Sequence, residues 1–136
     1  MNKNFKEIVT QVAAELHEDW RRDYILNNGN VPRLRPANDG TSREIDINVP
    51  YEQLTPHWQK ENYEAACFVV KKILIDGDID DDHLACQVHN AWLKRNDWAK
   101  GSSLDVSYWD LPQKEKDKDL LHVRIARRVI SLYNAK

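Results

Sequence analysis

Apolar residues near the N-terminus recur at three- and four-residue steps: Phe5, Ile8, Val9, Val12, Ala13, Leu16, Trp20 and Tyr24. That spacing lays them on one stripe of an amphipathic helix. Asn28-Gly29-Asn30 ends it, because Gly and Asn tolerate the left-handed conformation of a helix C-cap. Residues 30–50 lose the period and hold Pro32, Pro36, Gly40 and Pro50, which predicts a long loop with at most a short extended piece over Ile45–Val49. Thr55-Pro56 then opens a second helix in the N-cap and first-turn positions. It buries Ala65, Ala66, Val69, Val70, Ile73 and Leu74 and stops near Gly77. Asp80-Asp81-Asp82 supplies the cap and acidic first turn of a third helix, with Leu84, Ala85, Val88 and Trp92 on one face and an end near Gly101. Pro112 opens a fourth, carrying Leu121, Ile125, Val129 and Leu132. The pattern predicts a mostly α fold, helix–loop–helix twice over.

The two halves repeat in residues as well as in plan. Leu16-His17-Glu18-Asp19-Trp20 returns as Val88-His89-Asn90-Ala91-Trp92, a shift of 72. Pro50-Tyr51-x-x-Leu54-x-Pro56 returns as Ser107-Tyr108-x-x-Leu111-Pro112. From Pro56 onward the shift is 56: Lys60 falls on Lys116, Ala65 on Leu121, Val69 on Ile125, Lys71-Lys72 on Arg127-Arg128 and Ile73 on Val129. Two copies, about 8–75 and 84–133, are expected to pack with pseudo-twofold symmetry into one compact domain spanning residues 1–136. Their loops differ. Trp20 and Tyr51 lie 31 positions apart, Trp92 and Tyr108 only 16, and the longer loop holds Arg33, Arg35 and Arg43.

A chain of 136 residues, 41% hydrophobic and 31% charged, suffices for one core and not for two average domains. Its net charge of -2 gives no basic field for a DNA or RNA duplex. No apolar run reaches the length of a membrane span, and Met1–Phe5 lacks a signal-peptide hydrophobic region, so a cytoplasmic location is expected. Cys67 and Cys86 sit among apolar helical residues with no C-x-x-C, which reads as two buried thiols.

Templates for chemistry fail at key positions. Asp76-x-Asp78-x-Asp80 begins like a calcium loop, but Asp81 stands where Gly is needed and Gln87 where Glu is needed. The histidines show no H-E-x-x-H, and no two fall at i, i+4 for zinc. Nucleophile-elbow and phosphate-loop patterns are absent. The expectation is a protein that is not an enzyme and needs no metal or cofactor. The sign-alternating run Lys114–Asp119 reads as an exposed, ion-paired helix face. In each His-x-x-Trp pair the side chains point the same way along a helix. Either Trp plugs the core while His bonds a neighbouring loop, or Trp offers a ring and His a polar atom to a cleft. Five Trp in so short a chain leaves both readings open.

Together these segments resemble the ryanodine-receptor repeat, the RyR domain. In that family a helix with His-x-x-Trp is followed by a loop, an extended Pro-Tyr-x-x-Leu, a Glu-Lys-rich turn and a second helix. The resemblance covers about residues 8–133, carried by 14–20, 49–66 and 71–77 in the first copy and by 88–92, 107–119 and 123–130 in the second. The family's Gly-Trp-x-Tyr-Gly segment is missing from the first copy, where Asn28-Gly29-Asn30 stands, and is echoed in the second only by Asp97-Trp98 and Gly101. The resemblance implies paired helical repeats in a small prokaryotic or phage-type protein, acting in signalling or defence. It also implies a nucleotide-derived ligand, with a flat heterocycle held between Trp20 and Trp92. On that expectation His17, His89, Tyr51 and Tyr108 orient the ligand in the cleft between the repeats. Arg33, Arg35 or Arg43, with Lys60 or Lys116, meets a phosphate. The rival reading is a protein–protein interaction module with an exposed aromatic surface, and the pattern is compatible with assembly into a homo-oligomer. A nucleotide hydrolase ranks last, for want of any paired catalytic geometry.

Overall fold

In the computed structural model, which describes residues 3–134, the first apolar stripe forms helix α1, Lys3–Asn28. Gly29 ends it at φ 84°, with its N–H donating to Ile25 O at 2.8 Å. The expected loop is in part a small antiparallel hairpin: β1, Leu34–Pro36, pairs with β2, Glu44–Asp46. Side chains define it more than strand propensity does. The Asp39 carboxylate closes the turn by accepting from Thr41 N at 3.1 Å and from the Arg43 guanidinium at 2.8 Å. Buried Asn48 fixes the base, donating to Asn30 Oδ1 at 2.9 Å and Val31 O at 3.0 Å while accepting from Arg21 Nε at 3.1 Å.

Helix α2, Pro56–Ile75, starts where predicted, but the Thr55 hydroxyl makes no cap hydrogen bond and is buried without a partner. Helix α3, Asp81–Arg95, starts on Asp80, whose carboxylate accepts from His83 N at 2.9 Å. The acidic run therefore caps a helix. Its end corrects the sequence reading: α3 stops at Arg95, and Asp97–Ala99 forms a separate 3-10 turn before Gly101. Asn96 stops it by donating its side chain to Trp92 O at 2.9 Å. Helix α4, Gln113–Asn134, follows another 3-10 turn, Tyr108–Asp110.

The four helices close on one core. Helix α1 packs on α2 and α3 on α4, while α4 also meets α1 and α2, and α2 meets α3. Val9, Val12, Ala13, Ala66, Val69, Val70, Leu84, Ala85, Val123, Ala126 and Val129 are fully buried, each larger aliphatic contributing about 1.5–3 kcal/mol. Leu74, Leu121 and Leu132, expected inside, are exposed; α4 instead buries Leu120, Val123, Ile125, Ala126, Val129 and Ile130. Its apolar arc is wide, and three neighbouring helices bury the centre of that arc and leave its edges in solvent. The Arg127 guanidinium holds the α2–α3 turn, donating to Asp81 Oδ1 at 2.8 Å, to Gly77 O at 3.0 Å and to Ile79 O. Cys67 and Cys86 are free and half-buried. Among the described residues no helix is long and apolar enough to cross a membrane.

Candidate functional site

The two His-x-x-Trp motifs have the same local geometry. His17 Nε2 lies 2.8 Å from Val49 O, and His89 Nε2 lies 2.8 Å from Val106 O. A carbonyl only accepts, so each Nε2 carries a proton and donates it. The acceptor stands two positions before Tyr51 or Tyr108, and each tyrosine opens a 3-10 turn closed by Leu54 N or Leu111 N at 3.1 Å. Both imidazoles are buried. They pin the segment leading into each 3-10 turn against the helix that carries the tryptophan. Burial, the largest effect, lowers the pKa of His17, which keeps that ring neutral.

Beside each pinned imidazole stands its tryptophan, and both tryptophans line one cleft of about 890 Å³, within the size range of small-molecule sites. Its walls come from both halves of the chain. Helix α1 gives Leu16, His17 and Trp20; the hairpin gives Arg35, Asn38 and Ile47; α2 gives His57, Trp58, Glu61, Asn62 and Ala65. Across from them stand Trp92, Arg95 and Asn96 at the end of α3, Trp98 in the following turn, and His122 of α4. Four tryptophans thus meet where the sequence pointed to two.

The rings are differently disposed. Trp20 stands in a three-ring column along α1, parallel to His17 (5.6 Å, 13°) and Tyr24 (5.2 Å, 12°). Its faces look along the helix toward those neighbours, so it meets the cleft with its edge, in place of the open face that a symmetric sandwich requires. Trp92 is parallel to His89 (6.4 Å, 13°) and edge-on to Trp98 (5.5 Å, 85°). Trp58 is held by its Nε1–H, which donates to Pro36 O at 3.0 Å. Asn38, in the left-handed region at φ 55°, lies within hydrogen-bonding distance of His57 Nε2 at 3.1 Å.

Of the residues singled out from the sequence, Trp20, Trp92, His17 and Arg35 line this cleft. The others do not, each for a local reason. His89 is buried with its Nε2–H committed to Val106 O. Tyr51 lines a larger, more open groove of about 1420 Å³ between α1 and α2. Tyr108 is fully buried and donates to Asp82 Oδ1 at 2.9 Å; burial, then Asp82, raises its pKa. Arg43 is paired with Asp39 in the hairpin turn. Arg33 stands at the hairpin base, its N–H donating to Asp46 Oδ1 at 2.9 Å. Lys60 is exposed and pairs with Glu64 at 3.8 Å, while the Lys116 ammonium lies 5.7 Å from the Tyr108 ring centre.

Trp58, Trp98, Arg95 and His122 each belong to one half only, so duplication does not mark them as site residues. The excess of tryptophan over the two repeated positions was the available clue. The charged lining is Arg35, Arg95 and Glu61, and among the described residues neither arginine has a carboxylate within 4.0 Å. His122 Nδ1 donates to Lys118 O at 2.8 Å, while burial, the largest effect, and the charge of Arg95 lower its pKa. Such a lining is chemically suited to a flat, anionic molecule, through ring contact and charge. Among the described residues no group of three or more His, Cys, Asp or Glu is arranged to hold a metal ion. The larger groove has one lysine, Lys6, against Glu7 and Glu52, and no tryptophan. No protein-family model, curated protein or solved structure matches the chain.

Proposed function

We propose that the chain is a pair of RyR-like repeats that binds a nucleotide-derived small molecule in the cleft between them, as a sensor subunit or a sequestering sponge. One observation carries the reading: Trp20 and Trp92, 72 positions apart, converge with Trp58 and Trp98 on a cleft that also holds Arg35 and Arg95. A base lying against indole gains about 1–3 kcal/mol per aromatic contact, and an arginine beside it meets a phosphate. Trp92, Trp98 and Trp58 supply the ring contacts, with Trp20 closing one end by its edge.

The test is a thermal-shift screen against mono-, di- and cyclic nucleotides, followed by titration of Trp20→Ala and Trp92→Ala. A ligand at a hundred times its Kd adds about 2.7 kcal/mol to the native state. Both variants are expected to weaken binding far more than they lower the midpoint of the unliganded protein. A screen in which no nucleotide moves the midpoint sinks the reading. So does a variant that loses about 3–5 kcal/mol of stability, the cost of removing a core plug. The protein-interaction reading draws on Trp98, which is 70% exposed at the cleft; it predicts a Trp98→Ala variant that loses a protein partner while nucleotides leave the parent protein unchanged.

A further inference from the structure

Arg95 is the last residue of α3, and a basic side chain there ordinarily serves the helix by donating to its terminal carbonyls. That service is already rendered by Asn96, whose side chain donates to Trp92 O at 2.9 Å and whose N–H donates to Leu93 O at 3.4 Å. Arg95 itself makes no hydrogen bond and no ion pair among the described residues, and its Nε is buried without an acceptor. Elsewhere Arg21, Arg43, Arg127 and Arg128 each pair with a carboxylate at 2.8–2.9 Å. A desolvated guanidinium donor with no acceptor is a cost to the fold with no structural return. It becomes favourable when an oxyanion supplies two parallel acceptors.

The neighbours of Arg95 fit that use. His122, whose Nδ1–H is spent on Lys118 O, stands in the same lining and brings no negative charge to cancel the guanidinium. Burial and the Arg95 charge hold its pKa down. Glu61, the acid of the lining, makes no ion pair with Arg95 within 4.0 Å. The edge-to-face pair Trp92–Trp98 flanks Arg95 in sequence and lines the same cleft.

We infer that Arg95, at the α3–α4 end of the cleft, is an anion subsite that takes a phosphate group of the bound molecule while the attached ring lies against Trp92 and Trp98. This rests on the nucleotide reading of the cleft and moves its phosphate contact from the hairpin arginines to α3.

Arg95→Gln and Arg95→Lys are compared with the parent protein by titration with ADP, adenosine and inorganic pyrophosphate at low and high salt. The parent is expected to prefer ADP to adenosine by about tenfold or more, a preference that shrinks with salt. Arg95→Gln should abolish the preference and the pyrophosphate binding and leave adenosine affinity unchanged. Arg95→Lys should retain part of both, as a point charge without the planar fork. The unliganded Arg95→Gln midpoint should hold or rise, because an unpaired buried donor has been removed. A lowered midpoint would make Arg95 structural and overturn the inference. Equal binding of ADP and adenosine, or a preference that survives Arg95→Gln, sinks the subsite and leaves the nucleotide reading standing. Pyrophosphate bound through Arg95 with no nucleotide bound keeps the subsite and removes that reading. Failure of all three probes removes both.

Discussion

Replacing Asp119 with Asn should change how stability depends on pH, and the structure sets sign and size. Asp119 lies in the run expected to form a solvated face, yet its side chain is only 14% exposed, with Oδ2 3.7 Å from His89 Nδ1. His89 already donates through Nε2, so in its neutral form Nδ1 is an acceptor facing a carboxylate. Burial first, then the neighbouring Glu115, pushes the Asp119 pKa from 3.8 up to about 7, against a smaller pull down from Lys118. Below pH 3.8 folded and unfolded chains both hold the proton; between 3.8 and about 7 only the folded chain does; above about 7 neither does. Stability is therefore fully present in acid, falls across that window and is flat beyond it. The gap corresponds to about 4 kcal/mol at about 1.4 kcal/mol per pH unit. Water reaching the exposed part of the carboxyl brings the expected value to about 2 kcal/mol. Asp119→Asn keeps the shape and cannot ionise. Urea unfolding of both proteins, at steps from pH 4 to pH 8, measures the difference with other groups cancelling. The variant should gain about 2 kcal/mol on the parent between those limits. A difference flat to within about 0.5 kcal/mol would refute the argument, and with it the inward placement of Asp119.

Three further outcomes follow from side-chain placement. Leu120→Ala should cost about 2–5 kcal/mol in denaturant unfolding, and Leu121→Ala well under half of that, because α4 buries the first and exposes the second; equal costs would mean α4 is rotated. Arg127→Ala should cost about 1–3 kcal/mol through loss of its three bonds to the α2–α3 turn, discounted for partial exposure, and a loss under about 0.5 would show that turn to be self-supporting. Arg33→Gln and Arg43→Gln should leave nucleotide binding unchanged in calorimetric titration, because neither residue lines the cleft; a marked loss from either would place the ligand outside it.

The helices were legible because a 3.6-residue period survives in the chain wherever a helix lies on a core. Asp80 could be read as a cap because one carboxylate reaching one backbone N–H is a local event. The hairpin could not, since its three-residue strands carry no alternating apolar pattern. Its base is set by the bonds of Asp46 to Arg33 N–H and of Asn48 to Asn30 and Val31, groups that only the fold brings near. Helix α4 was placed by one apolar row, whereas three packing partners selected an arc between two rows. In the site, the repeated Trp20 and Trp92 led to the cleft because duplication marks positions irrespective of depth. Lys60 and Lys116 also repeat and lie outside that cleft, and Tyr51 and Tyr108 repeat as buried residues. Arg95 carries no mark in the sequence, since an arginine at a helix end is ordinary until its bonding partners are counted.

Four of the five tryptophans line one cleft, and the fifth, Trp109, sits apart against His83 and Tyr108. The intrinsic emission of this protein is therefore weighted toward one surface, with four indoles on the cleft and Trp109 outside it; none of the five is fully buried, although Trp20 and Trp58 lean on the core. Circular dichroism sees the complement, the helices. Followed together through denaturant, the two signals become a measure of cooperativity between surface and interior. Coincident curves mean that the cleft exists only while all four helices are assembled. An emission change that runs ahead of the helical signal means that the tryptophan walls part first, as a separate opening with its own free energy.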